Sequence, residues 1–194
     1  FHAGLPQAVQ DLGNELTALM RQLLSSLHEQ VCHLDELIGK IELPIRQWAS
    51  HDESAKRLQQ ISGIGPITAS ALVASLGDVH QFDNGRQVSA WLGLVPRQHS
   101  SGGKNVLLGI TKRGDSYLRT LLIHGARSAM QAAQRRKDGP PAWLQTLLGR
   151  KHPNIVAVAL ASRNARIAWA LLAHKRDYKV GYEPPNPLRL SALT

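Results

Sequence analysis

Two adjacent hydroxyls, Ser100 and Ser101, precede a glycine pair in the stretch RQHSSGGKN, residues 97–105. A hydroxyl on such a flexible segment can reach a phosphorus atom as a nucleophile, provided that nearby cations stabilise the charge growing on the phosphoryl oxygens. The residues that follow supply those cations. From Arg97 to Lys137 the chain carries nine Lys or Arg against one acid, Asp115. Lys104, Lys112, Arg113 and Arg119 are the nearby candidates, and Arg127 lies two helical turns beyond Arg119. The combination points to phosphodiester chemistry, although the same groups could hold a nucleic-acid backbone without reacting with it. His99 and His124 are further candidates for moving a proton, but a lone histidine more often packs or hydrogen-bonds. Asp115, in KRGDS, suits a helix cap or a partner for Arg113 better than a metal ligand.

The elements that must position these groups are mainly helical. From Ser116 the positions Leu118, Leu121, Leu122, Gly125, Ala126, Ala129 and Met130 have helical spacing, which predicts a basic helix over 116–137. The serine segment, with no hydrophobic face, is expected to be an exposed or ligand-facing loop over 97–105. Upstream, LQQISGIGPITASALVASLG, residues 58–77, reads as a helix broken at Gly63 and Gly65 and restarted at Pro66, in the manner of a helix-hairpin-helix. Gly63 and Gly65 can take backbone angles closed to other residues, Pro66 suits a first helical position, and the free N–H groups there can meet a phosphate. A hairpin of this kind can equally be a packing unit. A final helix is predicted over about 154–174, and little strand signal is visible anywhere.

Val9, Leu12, Leu16, Leu19, Leu23, Leu27, Val31, Leu34, Ile38, Ile41 and Ile45 recur in steps of three and four. This predicts one long helix of coiled-coil type over 1–50, suited to oligomerisation or to packing on its own domain. Pro44 is expected to bend or end it, and the polar segment 50–56 to lead into a second domain over 51–194. The tail, with Pro184, Pro185 and Pro187, is expected to be extended.

Charge is distributed unevenly. Residues 1–60 hold five basic and eight acidic groups, and residues 61–194 hold eighteen and six. The basic part therefore favours a polyanionic partner, of which nucleic acid is the commonest. The single cysteine, Cys32, excludes an intrachain disulfide and a cysteine-rich zinc site, and it suits a reducing compartment. The apolar run near the C-terminus is interrupted by Arg163 and Arg166, so it reads as a buried-face helix, and no membrane association is expected. The chain begins at Phe1 rather than Met, and it is expected to be part of a longer protein.

Four ordered motifs, ISGIGPITASALVASLGD, FDNGRQVSAWLGLVPRQHSSGGK, GITKRGDSYLRTLLIHGARSA and HPNIVAVALASRNARIAWALL, resemble the C-terminal transposase domain of the insertion-sequence 110 family, in particular its 1111 subgroup. The heptad helix before them resembles that family's coiled-coil segment. The resemblance implies a bacterial, cytoplasmic and nucleoid-associated DNA recombinase made of two halves. One is an N-terminal RuvC-like domain whose acidic residues hold Mg2+, and the other supplies a nucleophilic serine. That serine precedes glycine after the GLxP segment and maps to Ser101, with Ser100 as the adjacent alternative. The resemblance also implies DNA and a bridge RNA as partners and a homo-oligomer, dimeric or tetrameric.

The acids after residue 60 are scattered: Asp78, Asp83, Asp115, Asp138, Asp177 and Glu183. No metal or other cofactor is therefore expected within this chain, and the isolated chain is expected to be inactive. The alternative reading is a noncatalytic nucleic-acid-binding and oligomerisation module in which Gly63, Gly65, Lys104, Lys112, Arg113, Arg119 and Arg127 grip phosphates. A helical scaffold that binds only protein is a third.

Overall fold

The computed structural model describes residues 4–11, 13–101 and 104–179. Two compact units divide at Trp48 and Ala49. Among the described residues the fold is mainly helical: α1 Leu5–Gln10, α2 Ala18–His51, α3 Glu53–Gln59, α4 Pro66–Leu76, a 3-10 turn Val79–Gln81, α5 Gly85–Trp91, then β1 Pro96–Ser101 and β2 Lys104–Ile110, followed by α6 Ser116–Arg135, α7 Ala142–Leu148 and α8 Pro153–His174.

In the first unit the single long helix expected from Val9 onward is two helices. Val9 lies in α1, Leu16 lies in the linker, and Leu12 falls outside the described residues. The break has a local cause. Asp11 accepts the Gly13 N–H at 2.9 Å and Asn14 accepts the Leu16 N–H at 3.2 Å, turns that compete with helical bonding. The Arg21 guanidinium then ties the linker down, donating to the Asp11 carbonyl at 2.8 Å and to Asn14 Oδ1 at 2.6 Å. From Ala18 the heptad spacing does run as one helix, and Leu19, Leu23, Leu27, Leu34, Ile38 and Ile41 are each more than half exposed. Pro44 does not end this helix, which continues through it to His51. Proline removes the bond to the Lys40 carbonyl, but both residues are exposed, so water can take that acceptor.

The second unit is built round α8. Its buried face is Val156, Ala157, Leu160, Ala161, Asn164, Ala165, Ala168 and Leu171, five of them no larger than alanine or asparagine in girth. Short side chains let neighbours come close, and α3, α5, α6, α7 and the 3-10 turn all pack on it. At Gly85, which opens α5, an added Cβ would stand 2.8 Å from the Arg166 Cα. Ser89 and Ser162 bond across the same contact, Oγ to Oγ at 2.7 Å. Leu58, Ile61, Leu72, Leu76, Val88, Leu92, Leu118 and Leu122 fill the remaining core. The Trp169 Nε1–H donates to the carbonyls of Val79 and Phe82, each at 3.2 Å, so the 3-10 turn is held to α8. The apolar character of α8 is enough by length and composition for a membrane span, and in this fold it serves the core of the unit.

Strand is confined to β1 and β2 among the described residues, but it falls on the segment 97–105 expected to be a loop: the two strands pair antiparallel with Gln98 opposite Leu107 and Ser101 opposite Lys104. Gly102 and Gly103, between them, lie outside the described residues. A glycine pair between two extended runs is itself a hairpin signal, which the polar serine-rich composition obscured.

Gly63, at φ 91°, meets the α6 backbone at Gly125, and a Cβ on Gly125 would overlap the Gly63 carbonyl oxygen. Gly125→Ala is accordingly expected to lower stability by about 2 kcal/mol or more, read as a fall in the midpoint of thermal unfolding; an unchanged midpoint would contradict the close contact.

Candidate active site

Ser100 and Ser101 occupy the last two positions of β1, at the end of the hairpin remote from the helices. The strands pair with each other, and neither packs extensively against a helix among the described residues. The serine segment is thus an arm rather than an irregular loop. The side chains of Ser100, Ser101 and Lys104 lie outside the described ones, as does that of His99.

The arm is attached through a crossing of two backbone segments. Gly93, at φ 70°, follows α5, and Gly114, at φ 88°, precedes α6. A Cβ on Gly93 would overlap the Arg113 carbonyl oxygen, and one on Gly114 would overlap that of Trp91. Only glycine permits this approach together with these angles. The crossing is closed by Thr111 N–H to the Val95 carbonyl at 2.9 Å and Lys112 N–H to the Gly93 carbonyl at 3.2 Å. Lys112 itself adopts φ 55°, a left-handed conformation uncommon for a residue with a side chain.

Arg119, from the first turns of α6, reaches back to this crossing. Its Nη1 donates to the Leu92 carbonyl at 3.1 Å and to the Arg113 carbonyl at 3.4 Å. The guanidinium grouped by sequence with the phosphate-binding cations therefore bonds the protein's own backbone. Lys112 and Arg113 are exposed beside it. Asp115 caps α6, accepting the Leu118 N–H at 3.0 Å.

The remaining candidates lie elsewhere in the unit. Arg127 is half-buried and donates to Asn154 Oδ1 at 3.3 Å, joining α6 to the start of α8. Gly65 is the residue before α4, with no side-chain cap, and Pro66 takes the first helical position. Gly63 is occupied by its contact with Gly125, so it serves packing between the α3–α4 turn and α6. His124 is exposed on α6.

One polar residue that sequence reasoning passed over holds the α3–α4 turn. Asn164, in the middle of α8 and 3% exposed, donates its Nδ2–H to the Ser62 carbonyl at 2.9 Å. A lone asparagine in the apolar run NIVAVALASRNARIAWALL was the available signal, since a buried amide requires a partner. Among the described residues no three His, Cys, Asp or Glu side chains come together in a way that could hold a metal ion.

Residues 55–139, which run from α3 to just past α6, match the model of the transposase family IS116/IS110/IS902. The chain is 51% identical over 166 residues to a probable family 20 transposase of Pseudomonas aeruginosa, covering 86% of this chain and 49% of that protein. It is 45% identical over 181 residues to the transposase for insertion sequence element IS1111A of Coxiella burnetii, covering 93% and 50% respectively. A Yersinia enterocolitica protein, the transposase for insertion sequence element IS1328, is 44% identical over 158 residues, covering 81% and 47%. The chain is thus similar to transposases of the IS116/IS110/IS902 family, and it spans about half the length of these curated relatives.

Replacing Asn164 by Ala leaves the Ser62 carbonyl without its donor, and this is expected to cost about 1–3 kcal/mol. Denaturant unfolding of the variant checks it, and a loss under about 0.5 kcal/mol would mean that the bond is dispensable.

Proposed function

We propose that this chain is the serine-bearing part of a DNA transposase, acting with DNA and a bridge RNA. The observation that carries the reading is the family match combined with the placement of Ser100 and Ser101 at the free end of a hairpin arm in the basic part of the chain. In the proposed step the Ser101 oxygen attacks a DNA phosphodiester. An O–P bond to serine forms, the P–O bond to one deoxyribose oxygen breaks, and the serine proton passes to that leaving oxygen through an intervening acid–base group. A hydroxyl of a second DNA end then attacks the phosphoserine and restores the serine. One phosphodiester is exchanged for another, so no nucleotide hydrolysis is required.

Lys104, Lys112 and Arg113 are proposed to offset charge on the phosphoryl oxygens, which matters because an unaided serine is a weak nucleophile. The start of α4 at Gly65 and Pro66 is proposed as a backbone phosphate contact of helix-hairpin-helix type. The exposed apolar stripe of α2 is proposed to pair in a coiled coil with a second copy, giving a homo-oligomer. A cytoplasmic, nucleoid-associated setting follows from the same reading.

A second reading, a noncatalytic nucleic-acid-binding module, draws on the exposed cations Lys112 and Arg113 at the base of the hairpin. It needs the hairpin only as a contact surface.

Covalent trapping separates the two. In the intact protein that carries this sequence, Ser101→Ala is expected to reduce the serine–DNA adduct at least about a thousandfold, whereas DNA affinity stays the same. Full adduct formation in both Ser101→Ala and Ser100→Ala sinks the catalytic reading. For the stripe, the double change Leu27→Lys and Leu34→Lys is expected to shift the sedimentation coefficient towards that of a monomer; an unaltered oligomer would place the self-contact elsewhere.

A further inference from the structure

We infer that Arg119 is a positioning residue, which sets the attitude of the hairpin arm and thereby aims its serine; this rests on the catalytic reading above. Three observations carry it. The arm lacks extensive packing against any helix among the described residues, so its orientation is decided where it joins the body. That junction is a crossing of two turns at Gly93 and Gly114, anchored to the body by the buried Leu92 and Leu94 and closed by backbone bonds. Arg119 is the charged side chain bonded to both segments, through Leu92 on the side entering the arm and Arg113 on the side leaving it.

The geometry makes small errors at the base large at the tip. From Pro96 to Ser101, at about 3.3 Å per residue, the strand carries the serine on the order of 17 Å from the junction, so a tilt of about 5° displaces it by about 1.5 Å. A misplacement of about 1 Å in a reacting group can lower a rate about a hundredfold. The shift in pairing register between Pro96 and Gln98 bends the strand just beyond the junction. The tip direction is thus set by the first few residues of the arm. A guanidinium suits the task because its planar donors can serve two carbonyls from one fixed plane.

The competing assignment for Arg119 is direct phosphate binding, and the two differ in what they move. A phosphate ligand contributes about 0.9 to the slope of log affinity against log salt, whereas a residue bonded to backbone contributes nothing to it. The test compares wild type, Arg119→Ala and Arg119→Gln in the intact protein, with Gln keeping an uncharged donor. Expected for Arg119→Ala is adduct formation lowered about a hundredfold, with DNA affinity and salt slope as in wild type. Hydrogen exchange is expected to quicken about tenfold at the Thr111 and Lys112 amides, which close the junction, with α6 and α8 protected as before. Arg119→Gln is expected to recover part of both losses, and it carries the test if the alanine variant fails to fold.

A salt slope lowered by about 0.9 with unaltered exchange at Thr111 and Lys112 overturns the inference in favour of a phosphate contact. Wild-type adduct yield in Arg119→Ala also overturns it. If wild type forms no adduct at Ser101 or Ser100, the catalytic reading has failed and the inference falls with it. Exchange at Thr111 and Lys112, read without DNA, then still tells whether Arg119 holds the junction.

Discussion

Close approach of backbone to backbone is the constraint on which the second unit depends. Gly63 against Gly125, Gly85 against Arg166, Gly93 against Arg113 and Gly114 against Trp91 are four places where a single added carbon would collide with main chain. Each joins segments distant in sequence. Together with the small side chains on α8, they allow a domain poor in aromatic residues to pack densely using leucine, alanine and glycine. The same constraint explains why polar links appear where they do. Once helices are this close, Asn164 can reach the Ser62 carbonyl and Ser89 can reach Ser162, and these bonds specify which turn meets which helix.

Function on this scaffold follows from a division between packed and unpacked parts. The helices present a rigid body, and the hairpin leaves it through one narrow junction. In the proposed function, an arm with few contacts of its own approaches DNA without rearranging the core, and its aim depends on a small number of bonds at its base. Arg119 and the two glycines occupy that base. The cationic groups fall into two roles that composition cannot separate. Some, such as Lys112 and Arg113, are exposed beside the junction, whereas Arg119 and Arg127 are half-buried and donate hydrogen bonds to other groups of the protein.

The first unit obeys a different rule. The α1–α2 linker is organised by local polar groups, with Arg21 gathering carbonyls from several linker residues, and the long helix that follows keeps its apolar stripe exposed. Heptad spacing described α2 correctly from Ala18 onward because such spacing is a local property of helices. It extended the helix too far back because Asp11 and Asn14 offer side-chain bonds that interrupt it.

By itself the sequence determined the helical class, the spans of α6 and α8 to within a few residues, the cap at Asp115, and a basic half carrying a serine pair beside glycines. All of these depend on residue type and short-range spacing. The hairpin, the continuation of α2 through Pro44 and the hydrogen-bond partners of Arg119 and Arg127 were decided by tertiary structure. Strand pairing in a polar segment depends on the partner strand more than on either strand's hydrophobic pattern. Likewise, whether a guanidinium faces a phosphate or a carbonyl depends on which backbone oxygens the fold has left within its reach, and for Arg119 those belong to Leu92 and Arg113, 27 and 6 residues away.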